Sequence, residues 1–306
     1  MRSLSSALFF ALTAWGGTYS LTEFDVPGST GTTAFGINNS GQISGTFHDS
    51  LGQHGFIESN GLFTTVDSPS GTPNTTSVNG INNAGQVVGT FDDPGVFLGG
   101  AFLYTGGTFT SLMIPLGTSN RTPFGINDAE QITGNYRDSF GSFVASFLYD
   151  HGTVTQIRFG QMTLAYGINN AAQIVGTYPA EGGPQGMLYQ NGIASTIAVP
   201  GGQRTTVYDI NNSGQMVGTF FDSAGQQHSF VLDSGVFTTL DFPGATNTTA
   251  SGINDAGVIA GSFEDAAGAQ HGFVAVPAVP EPGSLLLLLS GLIGIALTRQ
   301  EPRRGQ

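Results

Sequence analysis

The stretch GINNSGQISGTF, residues 36–47, decides the fold of this chain because it is written six times. It returns as GINNAGQVVGTF (80–91), GINDAEQITGNY (125–136), GINNAAQIVGTY (167–178), DINNSGQMVGTF (209–220) and GINDAGVIAGSF (252–263). The isoleucines of the phrase, Ile37, Ile81, Ile126, Ile168, Ile210 and Ile253, stand 44, 45, 42, 42 and 43 residues apart. A period in that range marks a repeat architecture.

Around the phrase each unit offers four strand-like pieces. AFGIN (34–38) ends in an Asn-Asn-Ser-Gly turn, and QISGTF (42–47) alternates Ile43, Gly45 and Phe47 onto one face, as a half-buried strand does. HGFIES (54–59) and LFTTVD (62–67) flank Asn60-Gly61, the strongest short hairpin signal. Four strands in about 43 residues match a propeller blade. The longest connection follows the fourth strand, as in SPSGTPNTT (68–76) and FPGATNTT (242–249), so it is the crossing to the next blade and the GIN strand is innermost.

That phasing predicts the closure. LTEFDVPG (21–28) aligns with FTTLDFPG (237–244) and is a lone fourth strand, whereas the last unit, residues 250–277, has first, second and third strands but no fourth. The first strand of the chain therefore completes the sixth blade and removes the sheet edge. An open β-solenoid is the rival; it calls for shorter turns and capping repeats, which the sequence does not display. The expectation is an all-β, six-bladed β-propeller over residues 21–277, followed by a C-terminal hydrophobic helix. The mid-strand glycines Gly45, Gly89, Gly134, Gly176, Gly218 and Gly261 are expected to let neighbouring sheets approach closely. The aromatics two places on, from Phe47 to Phe263, are expected in the core between blades, and the Asn pairs in the turns.

Composition agrees with many short strands: 47 glycines and only 9% charged residues. With a net charge of -13 and no lysine, nothing can neutralise a run of phosphates, which excludes nucleic acid as a partner. The absence of cysteine excludes disulfides, thiolate metal sites and a cysteine nucleophile.

Residues 1–20 read as a secretory signal, with Arg2, an apolar run from Ala7 to Leu12 and small residues near Ala14. At the other end, Pro280, Glu281 and Pro282 precede an apolar run, Leu285–Leu297, and then Arg299, Arg303 and Arg304. Residues 284–298 are expected to sit in a membrane with the basic tail on the cytoplasmic side. This end, residues 278–306, resembles the PEP-CTERM sorting signal of Gram-negative bacteria. The resemblance implies an exported protein processed near Pro-Glu-Pro by a membrane transpeptidase of the exosortase type and left at the envelope or outside the cell. The body resembles the HAF repeats of extracellular proteins, with QHGF (53–56), GAFLY (100–104), ASFLY (145–149), QGMLY (185–189), QHSF (227–230) and QHGF (270–273) in the His-Ala-Phe position. Histidine stands in half of these units. That family implies an extracellular address and no defined activity.

Chemistry has few carriers. His54, His228 and His271 hold one repeat position and so fall on different blades, reading as polar residues that bond across the start of the third strand. His48 and His151 lie singly in loops. Acidic residues cluster in the loops between second and third strands, Asp49, Asp92, Asp93, Asp138, Asp222 and Asp265, and in the crossings, Asp25, Asp67 and Asp241. Both sets emerge on one face, which is a candidate ligand or cation face with oxygen ligands suited to Ca2+. The alternative is aspartates capping turns on a solvated rim. Asp209 replaces the Gly of the other five units; it is either a substitution that the backbone accommodates or a channel-facing carboxylate. No metal-ligand spacing or nucleophile–base pair is visible, so the expectation is a non-enzymatic interaction module of the envelope or matrix with exopolysaccharide as a ligand. The alternative is a carbohydrate-active lyase or hydrolase using carboxylates.

Overall fold

The computed structural model describes residues 19–93, 99–114, 119–137, 144–159 and 162–278, and every regular element among them is a β-strand. The hydrophobic C-terminal run, the sorting motif at Pro280–Pro282, the basic tail, the leader before Tyr19 and Asp138 lie outside the described residues.

The strands form six four-stranded antiparallel sheets, and five of these hold four consecutive strands. The inner strands are Gly31–Ile37, Ser77–Ile81, Ser119–Ile126, Leu164–Ile168, Gln203–Ile210 and Asn247–Ile253, which define blades 1 to 6 in chain order. In blade 6 the outermost strand is Tyr19–Phe24, paired antiparallel with Gln270–Pro277, the last strand of the body. The ring is closed as the sequence predicts. The strand begins at Tyr19, two residues ahead of the boundary read for the body, and Tyr19 and Ser20 pair with Pro277 and Val276.

Six apolar clusters hold the ring together, one at each seam between adjacent blades. Val66 of blade 1 packs on Val78, Val87 and Phe102 of blade 2. Ile157 of blade 3 meets Ala165, Ile174 and Met187 of blade 4, and Ala260 of blade 6 meets Ala34, Phe47 and Phe56 of blade 1. Because each seam buries the face of one sheet against the next, no blade has a complete core by itself, as expected of stacked repeats. Phe47, Phe91, Tyr136 and Phe263 are buried there.

The mid-strand glycines have another reason than the one expected. A Cβ on Gly45 would lie 2.2 Å from the Thr33 carbonyl of its own inner strand and 2.6 Å from the Phe56 ring of its own third strand. Gly89, Gly134, Gly218 and Gly261 are blocked alike by Phe102, Phe147, Phe230 and Phe273. These glycines make room for a phenylalanine ring laid across the same sheet, and the ring fills the seam. Close approach between sheets falls instead to the Gly of GIN: a Cβ on Gly80 would stand 2.2 Å from the Phe124 carbonyl of blade 3.

Candidate functional site

The inner strands share a defect that shapes the middle of the ring. In blade 1, Ala34 pairs with Gly45 and Gly36 with Ser44, leaving Phe35 unpaired in a β-bulge. The register slips at the same place in every blade, between Val78 and Gly80, Pro123 and Gly125, Ala165 and Ile168, Val207 and Asp209, and Ala250 and Gly252. A bulge re-aims the side chain of the extra residue. Here the six bulged residues, Phe35, Asn79, Phe124, Tyr166, Tyr208 and Ser251, all line one central cavity of about 340 Å³.

The lining is uneven. Phe124, Tyr166 and Tyr208 of blades 3, 4 and 5 form a continuous aromatic arc, with ring centroids 5.1 Å apart between the first two and 5.2 Å between the last two. Phe35 of blade 1 stands opposite blade 4. Asn79 is held by donating to the Pro123 carbonyl at 2.7 Å and accepting from Ser77 Oγ at 3.0 Å. Burial raises the pKa of both Tyr166 and Tyr208, so the phenols are neutral donors at physiological pH.

Asp209 lies in this cavity, as its position on the inner strand suggests. Its Oδ1 accepts the Ile210 N–H at 2.9 Å and its Oδ2 accepts the Ile253 N–H of blade 6 at 3.0 Å. Burial pushes its pKa up to about 7; the two N–H donors pull the other way, and the nearby Asp255 adds to the rise. The backbone of Asp209 also fills the space beside Gly167, whose Cβ would fall 2.7 Å from Asp209 Cα.

One end of the channel is a collar of asparagines and aspartates. Each buried Asn of GIN donates Nδ2 to the carbonyl of its counterpart in the next blade: Asn38 to Asn82, Asn82 to Asn127, Asn127 to Asn169, Asn169 to Asn211, Asn211 to Asn254 and Asn254 back to Asn38, at 2.9–3.2 Å. The following residue makes a second closed ring, its backbone N–H reaching the side-chain Oδ1 of the next blade, in the order Asn39, Asn83, Asp128, Asn170, Asn212, Asp255, at 2.8–2.9 Å. Asp128 and Asp255 sit on opposite blades, and each Oδ2 accepts Nδ2 from the asparagines on both sides, Asn83 and Asn170 for one, Asn212 and Asn39 for the other. Burial opposes their ionisation, but these amide donors win and hold both carboxyls below the usual range. The Asn pairs do cap the turn, as the sequence suggests, since Asn38 Oδ1 accepts the Ser40 and Gln42 N–H groups; they also tie the blades.

On the other face the acidic loops and crossings meet, with histidine between them. His54 Nδ1 contacts Asp67 of the crossing at 2.7 Å and its Nε2 faces Asp49 of the loop at 3.3 Å. His228 bridges Asp241 and Asp222 at 2.6 and 3.5 Å, and His271 bridges Asp25 and Asp265 at 2.8 and 3.6 Å, with Glu23 also 3.5 Å from its Nδ1. Burial would lower the pKa of His228 and His271, yet these carboxylates raise both. Asp222 and Asp265 spend Oδ1 on two N–H groups of their own loops, Ala224 and Gln226 in one, Ala267 and Ala269 in the other. Asp49 accepts from Leu51 and Gly52 in the same way. These donors hold all three carboxyls below the usual range. Asp92 and Asp93 belong to the corresponding loop of blade 2. The candidate cation face therefore spreads its acidic loops over separate blades. Among the described residues, the one group of three whose ligand atoms fall within 4.8 Å of one another is Glu23 and His271 of blade 6 with Asp25 of the crossing that follows Phe24.

Residues 278–304 match the PEP-CTERM protein-sorting motif. The motif begins one residue past the last strand, and it implies export and surface sorting in a bacterium, with exosortase processing. No curated protein matches the chain. Solved structures share its fold at low identity. A triple mutant of AofleA from Arthrobotrys oligospora has TM-score 0.54 at 10% identity, over 86% of this chain and 88% of that one. A mutant of Aleuria aurantia lectin in complex with Fucα1-6GlcNAc has TM-score 0.52 at 12% identity, over 83% and 98%. A gluconolactonase from Xanthomonas campestris has TM-score 0.53 at 13% identity, over 85% and 90%.

Proposed function

We propose that this protein is a non-enzymatic, surface-sorted propeller whose central channel binds a saccharide of the cell envelope or matrix. The observation that carries the reading is the set of six bulged side chains, which brings four aromatic rings and the polar Asn79 and Ser251 into one cavity of about 340 Å³. The volume lies within the ~300–1,000 Å³ range of small-ligand sites. A pyranose ring offers an apolar face that packs on aromatic rings and a rim of hydroxyls that bond amides, hydroxyls and carboxylates, so a wall of both aromatic and polar side chains suits it. The sorting motif supports a location where such polymers are found, and the lectin shares the architecture. Before processing, residues 284–298 anchor the chain in the membrane and an exosortase-type enzyme acts near Pro280–Pro282.

The test is calorimetric titration of the protein with fragments of the producing bacterium's exopolysaccharide, with and without calcium. Saturable binding that weakens at least tenfold in Tyr166→Leu supports the channel. Binding that is unchanged in that variant but abolished by chelator moves the site to the acidic loops. A second reading, a hydrolase or lyase, rests on Asp209, whose pKa of about 7 suits a general acid or base. Release of reducing ends that ceases in Asp209→Asn supports it.

A further inference from the structure

Among the described residues, the charges that line the channel are all of one sign. The lining includes three carboxyls, Asp209, Asp128 and Asp255, and no arginine, lysine or histidine. Two of them are fixed. Asp128 and Asp255 stand on opposite blades of the collar, each Oδ2 locked between two asparagine amides, so their negative charge cannot turn away from the channel. The third is poised, because Asp209 is bonded by two N–H groups and surrounded by low-dielectric wall. The same wall carries aromatic rings, Phe124, Tyr166 and Tyr208 in successive contact and Phe35 across from Tyr166. Aromatic faces carry negative quadrupole potential and attract ammonium groups, more so where water is excluded. An anionic sugar entering this space meets three carboxyls and no counter-charge. A neutral sugar brings no counter-charge to them.

We propose that the channel selects a cationic saccharide, an amino sugar whose free ammonium group lies among the aromatic rings with Asp209, Asp128 and Asp255 as counter-charges. This rests on the reading of the channel as a saccharide site and goes further by naming the ligand class. Binding of the ammonium favours the ionised form of Asp209, so uptake releases a proton near pH 6, where the free carboxyl is protonated. The other titratable groups that line the channel with Asp209 are the phenols of Tyr166 and Tyr208 and the ionised Asp128 and Asp255; none of them titrates between pH 5 and 8.

The experiment uses the full-length chain in neutral detergent and three probes at pH 6: a β-1,4-linked glucosamine tetramer, its fully N-acetylated counterpart and a galacturonic acid tetramer. The glucosamine tetramer is expected to bind at least tenfold more tightly than the acetylated one, with the uronate not binding, and with proton release read from the buffer dependence of the heat. Asp209→Asn should reduce the preference severalfold and abolish the proton release. Tyr166→Leu should remove the preference, which separates the channel from general attraction to a chain of charge -13. Tyr166→Phe retains the ring and should keep the preference for the glucosamine tetramer over the acetylated one. Equal binding of the acetylated tetramer, or stronger binding of the uronate, overturns the cationic inference and leaves the saccharide reading standing. Persistence of the preference in Tyr166→Leu also overturns it. Failure of all three probes removes the inference together with the saccharide reading.

Discussion

Asp209 makes a quantitative prediction about stability. In the unfolded chain an aspartate titrates near 3.8, and in the folded channel burial pushes this one up to about 7. Between those values the unfolded state has released its proton and the folded state has not, so stability falls as pH rises through the interval and is level outside it. At about 1.4 kcal/mol per pH unit the full interval is worth about 4 kcal/mol, and access of water from the channel trims this to about 2–4 kcal/mol. Asp209→Asn removes the titration. The amide keeps one acceptor for the N–H groups of Ile210 and Ile253 and turns a donor toward the other, a cost of about 1–3 kcal/mol that does not depend on pH. The variant is therefore less stable than the native chain in acid, and the difference shrinks or reverses above pH 7. Urea unfolding followed by tyrosine fluorescence at pH 5, 6, 7 and 8 stays clear of the isoelectric point near 4.4 and samples the steep part of the curve. The stability of the variant relative to the native protein should rise by about 2–3 kcal/mol from pH 5 to pH 8. A change below about 0.5 kcal/mol would refute the buried, proton-holding state assigned to this carboxyl.

Asn127→Ala deletes the Nδ2 bond to Asn169, the bond to Gln131 and the acceptor of the Ala129 and Gln131 N–H groups at a buried site, and should cost about 2–4 kcal/mol in a denaturant melt. Gly45→Ala drives a methyl group into the Thr33 carbonyl and the Phe56 ring and should cost about 3 kcal/mol or more, whereas Gly61→Ala meets open space and only the penalty of φ +82°, about 1 kcal/mol. His271 holds the closing strand through Asp25 and Glu23, and its raised pKa means that this support is complete below pH 6.5 and lost as pH rises through the folded value. Hydrogen exchange in residues 19–24, corrected for its intrinsic pH dependence, should quicken from pH 6 to pH 8.5 and lose that pH effect in His271→Gln.

The fold was legible because repetition converts a weak local signal into a strong global one. One copy of QISGTF is an ambiguous apolar run; six copies at nearly equal spacing, with an orphan outer strand at one end and a three-stranded unit at the other, leave a closed ring as the simplest arrangement. The reason for the mid-strand glycines was not legible, because a sequence does not say which neighbour a missing Cβ would strike, and the Phe on the adjacent strand of the same blade is nearer than the next sheet. The histidine position was legible as polar, but its two acidic partners come from separate connections, Asp49 and Asp67 around His54, and only the hairpin geometry brings them together.

The channel was hidden for a related reason. A bulge is a counting difference: three steps from Ala34 to Ile37 face two steps from Gly45 to Ile43, and the surplus residue has no strand partner. Counting requires the register, which a single strand does not reveal. A signal was nevertheless present. Within AFGIN, VNGIN, PFGIN, AYGIN, VYDIN and ASGIN the second letter ranges over Phe, Asn, Tyr and Ser while the closing Ile-Asn is constant, and the residue after GIN is Asp in every third unit. A position that varies inside an otherwise repeated phrase is either unconstrained or assigned separate work in each copy. In the structure the six second-letter residues converge on one cavity and sort by blade into an aromatic arc of Phe124, Tyr166 and Tyr208, Phe35 across from it, and the polar Asn79 and Ser251. Repetition sets the radius of the ring, and the departures from it, at the second letter of each phrase, at Asp209 and at the residue after GIN, set the chemistry of the channel.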